Sequence, residues 1–475
     1  MLKSFYMRVI LAGYNVDTEV LEDLKKSSRP RSDVTPETIS ASYARISRDP
    51  RPVDELRKVA REEVEKARKS NSAIIFKMGH HSIAEHAVFN FDILGVSRLA
   101  LEELEKFRLC AYTEKSQRYQ KLEDDYIVPD EIKTAGFDKD FIDTIKKQNA
   151  FYHEMVGQGI EPEDARYITS LATQAQLGQT INARNLEFLF RRFASHPLNE
   201  VRNLGKELYK LVEPIAPSII LFTEANEYDQ KTYGGIRDKI NEKSRGIKGN
   251  KGKEVVLESY TKNADDVLIA SFIHSSTNLP YKKCLKQAKQ MSESEKKEIV
   301  KKCFEYAEFY DRPQREFEYI DLTYNLIVSA ACFGQLKRHR MASITSQVYD
   351  PSLGVTIPEA IVKAGLDKKF KRVVNSTNKT FTKIAEKHPM AAQYILTNAH
   401  RKRVLINVNA RELYHISRLR EDAHAQWDIK VISQKMTGLA KRVMPLTMMF
   451  IGGKDGYPAV YEAQFGKKPK VMPLA

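Results

Sequence analysis

Lys106-Phe107-Arg108, followed by Glu114, Ser116 and Arg118, and Arg338-His339-Arg340, followed by Ser343, are two unequally eroded copies of one basic motif. The relation returns downstream in Asn182-Ala183-Arg184 and Asn409-Ala410-Arg411. The first pair is offset by 232 positions (340 − 108) and the second by 227 (409 − 182). Two motifs that keep nearly one offset imply a tandem duplication, because unrelated tripeptides have no reason to preserve their spacing.

Working outward, copy one opens with a strand at Val9-Ile10-Leu11-Ala12-Gly13. Thr35-Pro36-Glu37 supplies a cap, a first-turn proline and an early acid for a helix through Ala44. Pro52 to Lys69 spaces Val53, Leu56, Val59, Ala60, Val64 and Ala67 along one helical stripe, and His86 to Leu94 alternates as a half-buried strand. Helical spacing from Leu99 to Arg108 then delivers the basic block at a helix end. Copy two repeats the order: a strand at Val255-Val256-Leu257, alternation from Ile320 to Leu326, a helix from Val328 to Lys337, and a last helical region from Glu412 to Val443. Strands embedded among long helices predict an α+β class, with two homologous domains in tandem, each a β-sheet packed with long helices. The predicted domains are 1–228 and 254–475. Residues 229–253 join them as a basic, glycine-containing linker with eight Lys or Arg, three Asp or Glu and five Gly.

With 475 residues, 42% hydrophobic and 29% charged, the chain can fill two ordinary cores and is too polar for a membrane span. The apolar run near Met1 meets charge at Asp17 and Glu19, which suits a buried first strand better than a signal peptide. Four cysteines without paired metal spacing point to a reducing cytoplasm and no zinc or other metal. The net charge of +15 predicts anionic partners. Nucleotide phosphates and nucleic acid both qualify, but no nucleic-acid-binding motif accompanies the charge, so nucleic acid ranks last.

A guanidinium fork binds phosphate bidentately, so Arg338 and Arg340 suit an anionic ligand; cations at a helix end also complement its dipole. Both readings stand at this point. Glu114-Lys115-Ser116-Gln117-Arg118-Tyr119 gathers an acceptor, a hydroxyl, an amide, a guanidinium and a phenol in six residues, as a polar loop or a binding loop would. Gly79-His80-His81-Ser82 with Glu85-His86 lacks the four-residue His spacing of a helical zinc site, and its histidines fit hydrogen bonding to a cofactor or packing. Asn409, His415, Arg420 and Trp427 fall at helical intervals, so one face could present amide, guanidinium and indole to a ligand, or form a salt-bridged helix anchored by the tryptophan.

Together these motifs resemble the flavin-dependent thymidylate synthases, whose signature is Arg-His-Arg, seven residues and Ser, usually extended as Glu-x-Ser-x-Arg-Tyr. Copy one matches the latter part in Glu114, Ser116, Arg118 and Tyr119, and copy two the former part in Arg338-His339-Arg340. Gly79-His80-x-Ser82, Gly95-Val96-Ser97-Arg98, Ala44-Arg45-Ile46-Ser47 and Ala165-Arg166 are similar to further family segments in copy one. Asn409-Ala410-Arg411, His415, Leu419-Arg420 and His424-Ala425-Gln426-Trp427 are similar in copy two. The departures sort by half. Copy one has Lys106-Phe107, Glu103 and Phe193 where the family has Arg-His, Gln and Arg; copy two has Val348, Asp350 and Gln393 where it has Ser and two Arg.

Family members assemble each site from several subunits, so the resemblance implies one composite active site between the two halves. Glu114, Ser116, Gln117, Arg118 and Arg166 would bind dUMP with Gln335, Arg338 and Arg420. FAD would be held by Ser47, His80 and Ser82 from one half and by Arg338, His339, Arg340, Asn409, Arg411 and His415 from the other. Arg420 would be the catalytic cation and Ser116 would orient the substrate, or take a closer part in catalysis. The implied reaction is reductive methylation of dUMP to dTMP, with methylenetetrahydrofolate and NADPH as co-substrates, in a cytoplasmic homodimer that mimics the family's tetramer. The alternative is a catalytically inactive nucleotide-binding or regulatory protein derived from the family.

Overall fold

The computed structural model describes residues 7–26, 32–123, 125–247, 249 and 252–473. Met1 to Tyr6, and Lys248, Asn250 and Lys251 of the expected linker, lie outside the described residues. The chain divides into two compact units, residues 1–249 with 357–397 and residues 250–356 with 398–475. Each holds a four-stranded sheet, as an α+β protein should.

In the first unit, strands β1 (Arg8–Tyr14), β2 (Val88–Ser97), β3 (Cys110–Glu114) and β4 (Gln174–Asn182) form an antiparallel sheet in the order β1-β2-β4-β3. In the second, β5 (Val255–Tyr260), β6 (Asp321–Ser329), β7 (Ser343–Ser346) and β8 (Arg401–Asn409) take the order β5-β6-β8-β7. Period-two alternation explains the central strands. Phe89, Phe91 and Ile93 are buried while Asn90 and Asp92 are exposed, and Leu322, Tyr324 and Leu326 are fully buried. The register Val88↔Asn182 recurs as Asp321↔Asn409. The caps recur too. Ser97 and Ser329 accept the Ala100 and Cys332 amides, and Asn182 and Asn409 accept the Asn185 and Glu412 amides.

The segment 357–397, counted by sequence with the second half, packs inside the first unit. Its helix Asp367–Ala385 lies against helix Asp138–Gly157, with Gln148 Nε2 donating to Thr377 Oγ1 (2.8 Å) and to the Ile395 carbonyl (3.0 Å), and Phe151 meeting Phe370 edge to face. Tyr394 donates to the half-buried Glu200 side chain (2.7 Å), and the Leu171 amide donates to the Leu396 carbonyl (2.8 Å). Burial of Phe370, Val374, Thr377 and Ile384 accounts for the placement.

Four expectations need correction. The stripe from Pro52 to Lys69 is two helices, Val53–Glu62 and Val64–Ser72, broken where Glu63 leaves helical geometry (φ −122°, ψ 56°). The helices before the basic blocks are shorter, Arg98–Leu104 and Ala330–Leu336, so both blocks occupy the turns that follow. The region from Glu412 to Val443 is likewise two helices, Ala410–Arg420 and Trp427–Val443; Trp427 therefore shares no helix face with Arg420, and Asn409 caps the first helix. Finally, Tyr233–Lys243 of the expected linker is helical. Buried Asp229 bonds Arg191 (2.9 Å), and Arg192 stacks on Tyr233 (4.0 Å), anchoring it despite its glycines. Among the described residues no helix is long and apolar enough to cross a membrane.

Candidate active site

In the second unit the turn after Ala330–Leu336 exposes Arg338 and Arg340 and buries His339. Helix Ala410–Arg420 ends beside it. Arg420 Nε donates to His339 Nε2 (2.9 Å), while its terminal nitrogens reach the Gln335 side-chain and backbone oxygens (3.4 and 3.2 Å). His339 Nδ1 lies 3.5 Å from Glu412 Oε1, and the His415 ring stands edge-on at 5.9 Å. Burial, reinforced by Arg420, pushes His339 down to about 3. Burial also lowers His415 to about 4, with His339 and Arg418 adding to it and Glu412 opposing it. Burial raises the Glu412 carboxyl. The two imidazoles are neutral near pH 7.

The remaining expected residues of this half have structural partners. Asn409 Oδ1 caps its helix, and Arg411 bonds Glu318 (2.6 Å) and the Pro313 carbonyl (2.7 Å). The unit therefore brings together Gln335, His339, His415 and Arg420, with the exposed Arg338 and Arg340 alongside in the turn. Gln335 Nε2 has no hydrogen-bond partner among the described residues, and His339 Nδ1 has only the 3.5 Å ion-pair contact with Glu412. Guanidinium, imidazole and amide donors fit a group rich in phosphate and carbonyl acceptors, which is what a flavin dinucleotide offers.

In the first unit, Glu114 ends β3 in a nearly buried pair with Arg98 (2.5 Å). Ser116 Oγ accepts the Arg118 amide (3.2 Å), and Arg118 pairs with Glu163 (2.9 Å), whose backbone carbonyl also accepts from buried Arg166 (3.2 Å). Burial lowers the Arg166 guanidinium from its ordinary value. A small pocket opens here, its walls including Ser116, Gln117, Tyr152, Arg166, Thr173 and Ala175. Ser47, His80 and Ser82 do not line it. They are exposed, Ser47 just past helix Glu37–Arg45 and the others at the turn His81–His86, which that helix touches through Tyr43 and His86 (4.7 Å).

Each half has repacked what it lost. At the positions of His339, His415 and Arg420 the first half carries Phe107, Phe188 and Phe193, with Phe107 edge-on to both others at 5.7 Å. Glu103, at the position of Gln335, pairs with Lys106 (2.5 Å) and His196 (3.2 Å). Burial alone would raise its pKa, but these partners prevail and hold it near 2. In the second half Lys402 stands where the first has Ala175, and its ammonium lies over the rings of Phe333 (3.8 Å) and Tyr349 (4.1 Å), the latter at the position of Gln117. Val348 is half exposed, and Asp350 bonds Ser352. Sequence reading missed Glu163, Lys402 and Glu412. Only Glu412 carried a signal, an acid three residues after a capping Asn.

A family model described as thymidylate synthase complementing protein matches residues 32–218 and 256–446. The flavin-dependent thymidylate synthase of Geobacter sulfurreducens is 33% identical over 150 residues, 30% of this chain, which spans 65% of that protein's length. That of Clostridium tetani is 32% identical over 209 residues, 40% of this chain and 82% of its own. A Chlamydia pneumoniae protein named only UPF0159 is 22% identical over 433 residues, 82% of this chain and 80% of its own. A solved Helicobacter pylori thymidylate synthase X with FAD and dUMP is 20% identical at a TM-score of 0.31, over 45% of this chain and 99% of that one.

Proposed function

We take as premise what the two matched segments show, that this chain belongs to the thymidylate synthase complementing protein family, and we propose that it is an FAD-dependent thymidylate synthase. The reaction is reductive methylation of dUMP to dTMP with methylenetetrahydrofolate and NADPH. The observation that carries this reading is the Gln335–His339–Arg420 set, retained in one half and replaced by Glu103, Phe107 and Phe193 in the other.

In this reading Ser116, Gln117 and Arg166 bind the nucleotide from their pocket, with Glu114 held by Arg98 and Arg118 held by Glu163 as its flank. Arg338 supplies a further cation for phosphate, and Arg420 stabilises negative charge that develops on the pyrimidine as carbon 5 becomes nucleophilic. His339 orients Arg420 by accepting from Nε. Arg338, His339, Arg340 and His415 hold the flavin with Ser47, His80 and Ser82, whereas Asn409 and Arg411 act on the helix that carries His415 and Arg420. When bound, the flavin supplies the hydride that the methylation requires. The proposal keeps the division of labour read from the sequence, so both halves serve one reaction. It extends to a cytoplasmic homodimer.

Purified full-length protein tests this by its flavin absorbance and by dUMP-dependent tritium release from carbon 5. A colourless protein that takes up no FAD on reconstitution would refute the reading. Flavin uptake and dUMP binding without tritium release would favour the nucleotide-binding, regulatory alternative.

A further inference from the structure

The Arg420–His339 contact reveals a tautomer. A guanidinium has no acceptor, so the 2.9 Å bond from Arg420 Nε requires a lone pair on His339 Nε2. The ring is 3% exposed and its neutral form must then carry its proton on Nδ1. The acceptor facing that nitrogen is Glu412 Oε1, at 3.5 Å. His415 is fixed in the opposite sense: Arg418 donates to its Nδ1 (3.1 Å), which leaves its proton on Nε2. Arg312 and His415 are the other titratable groups whose charge acts on Glu412.

An acid at Glu412 suits the first turn of its helix, but its side chain makes no reciprocal cap. It is the third residue of its helix, but the end is already capped, because Asn409 Oδ1 accepts the Glu412 amide (2.8 Å). The duplication supplies a control within the same chain. At the position of Glu412 the first half has Asn185, whose side chain turns back to Asn182 (2.8 Å), and there the position of His339 is Phe107. The acid is present where the imidazole is present and absent where it is absent.

We propose that Glu412 is a positioning residue for Arg420: its carboxylate holds the His339 proton on Nδ1, which keeps Nε2 open to the Arg420 guanidinium and fixes that cation's orientation. The bond pattern follows the carboxylate–histidine pairs that orient imidazole ligands at metal centres, with a guanidinium in the place of the metal. Its catalytic consequence rests on the proposed function; the tautomer does not.

Nitrogen NMR of the full chain labelled with ¹⁵N-histidine tests the tautomer directly. His339→Gln assigns the signal, and the ring should be neutral with its proton on Nδ1 from pH 8 to pH 5. In Glu412→Ala the two tautomers should mix, and in Glu412→Asp the wild-type form should partly return. A wild-type His339 protonated on Nε2, or a tautomer unchanged by Glu412→Ala, overturns the proposal. Turnover gives the second reading: Glu412→Ala should lower kcat for tritium release by about 10-fold with the KM for dUMP and the flavin spectrum little changed, and Glu412→Asp should recover part of it. Unchanged kcat in an active enzyme refutes the positioning role. An inactive wild type with the expected tautomer instead counts against the functional reading alone.

Discussion

Acidification should weaken the second unit through His339, and the size of the effect follows from its burial. Unfolded histidine titrates near 6.5, whereas folded His339 is held down to about 3. Between those values the unfolded chain binds the extra proton, so stability falls as pH falls through that window. From pH 7.5 to pH 5.0 the linkage amounts to about 2 kcal/mol for this one ring. Trp427 is the only tryptophan and belongs to the second unit, so its fluorescence reports urea unfolding there. His339→Gln keeps an acceptor for Arg420 and removes the titration. The loss on going to pH 5.0 should be smaller in this variant by about 2 kcal/mol, equal to about 1 M in urea midpoint for an m-value of about 2 kcal/mol/M. His415, lowered to about 4 and partly exposed, contributes in both proteins; because His339 adds to that lowering, its share shrinks in the variant and acts in the same direction. If wild type and His339→Gln lose the same stability on acidification, His339 is not a buried neutral base and the reasoning about its tautomer fails with it.

Arg420→Lys should retain flavin uptake but lose most tritium release, because one ammonium cannot bond His339 and Gln335 and face a ring together; equal turnover would show that the guanidinium geometry is immaterial. Ser116→Ala should weaken dUMP binding measured by calorimetry, whereas Val348→Ala should leave it within error, and equal effects would remove the assignment of the nucleotide to the first half's pocket. Phe193→Ala should destabilise the first unit by about 3–5 kcal/mol, since Phe193 is 2% exposed and packs against Gly205 and Phe107. A thermal scan that shows no loss would refute its role as a core residue.

Much of the fold was legible because it rests on short-range patterns. Alternation at Phe89, Phe91 and Ile93, and the capping serines and asparagines, are local signals, and they mark the central strands and the helix starts in both halves. What escaped is tertiary. Nothing near Glu63 marks a helix break, and the apolar face of Asp367–Ala385 says that it is buried without saying against what. The site followed the same rule. Arg420, His339 and Gln335 could be named from the family resemblance, but Glu163 and Lys402 act through partners far along the chain or across a strand, and no periodicity announces them.

The repacking of lost positions bears on how a duplicated chain divides its work. A buried polar side chain that loses its partner costs about 1–3 kcal/mol, so the members of the Gln335–His339–Arg420 set cannot decay one at a time without a stability penalty. In the first half they differ together: three aromatic rings meet edge to face where the second half has two imidazoles and a guanidinium, and Glu103 pairs with Lys106 and His196. In the second half the pocket positions of Gln117 and Ala175 have become Tyr349 and Lys402, with the lysine over two rings. Relaxed decay would leave orphaned polar atoms at these positions, yet each eroded set has become a packed or paired cluster. Each half has thus kept one polar set and closed the other. That pattern makes the Phe193 variant a test of structure, while Arg420, Ser116 and the Val348 control remain tests of function.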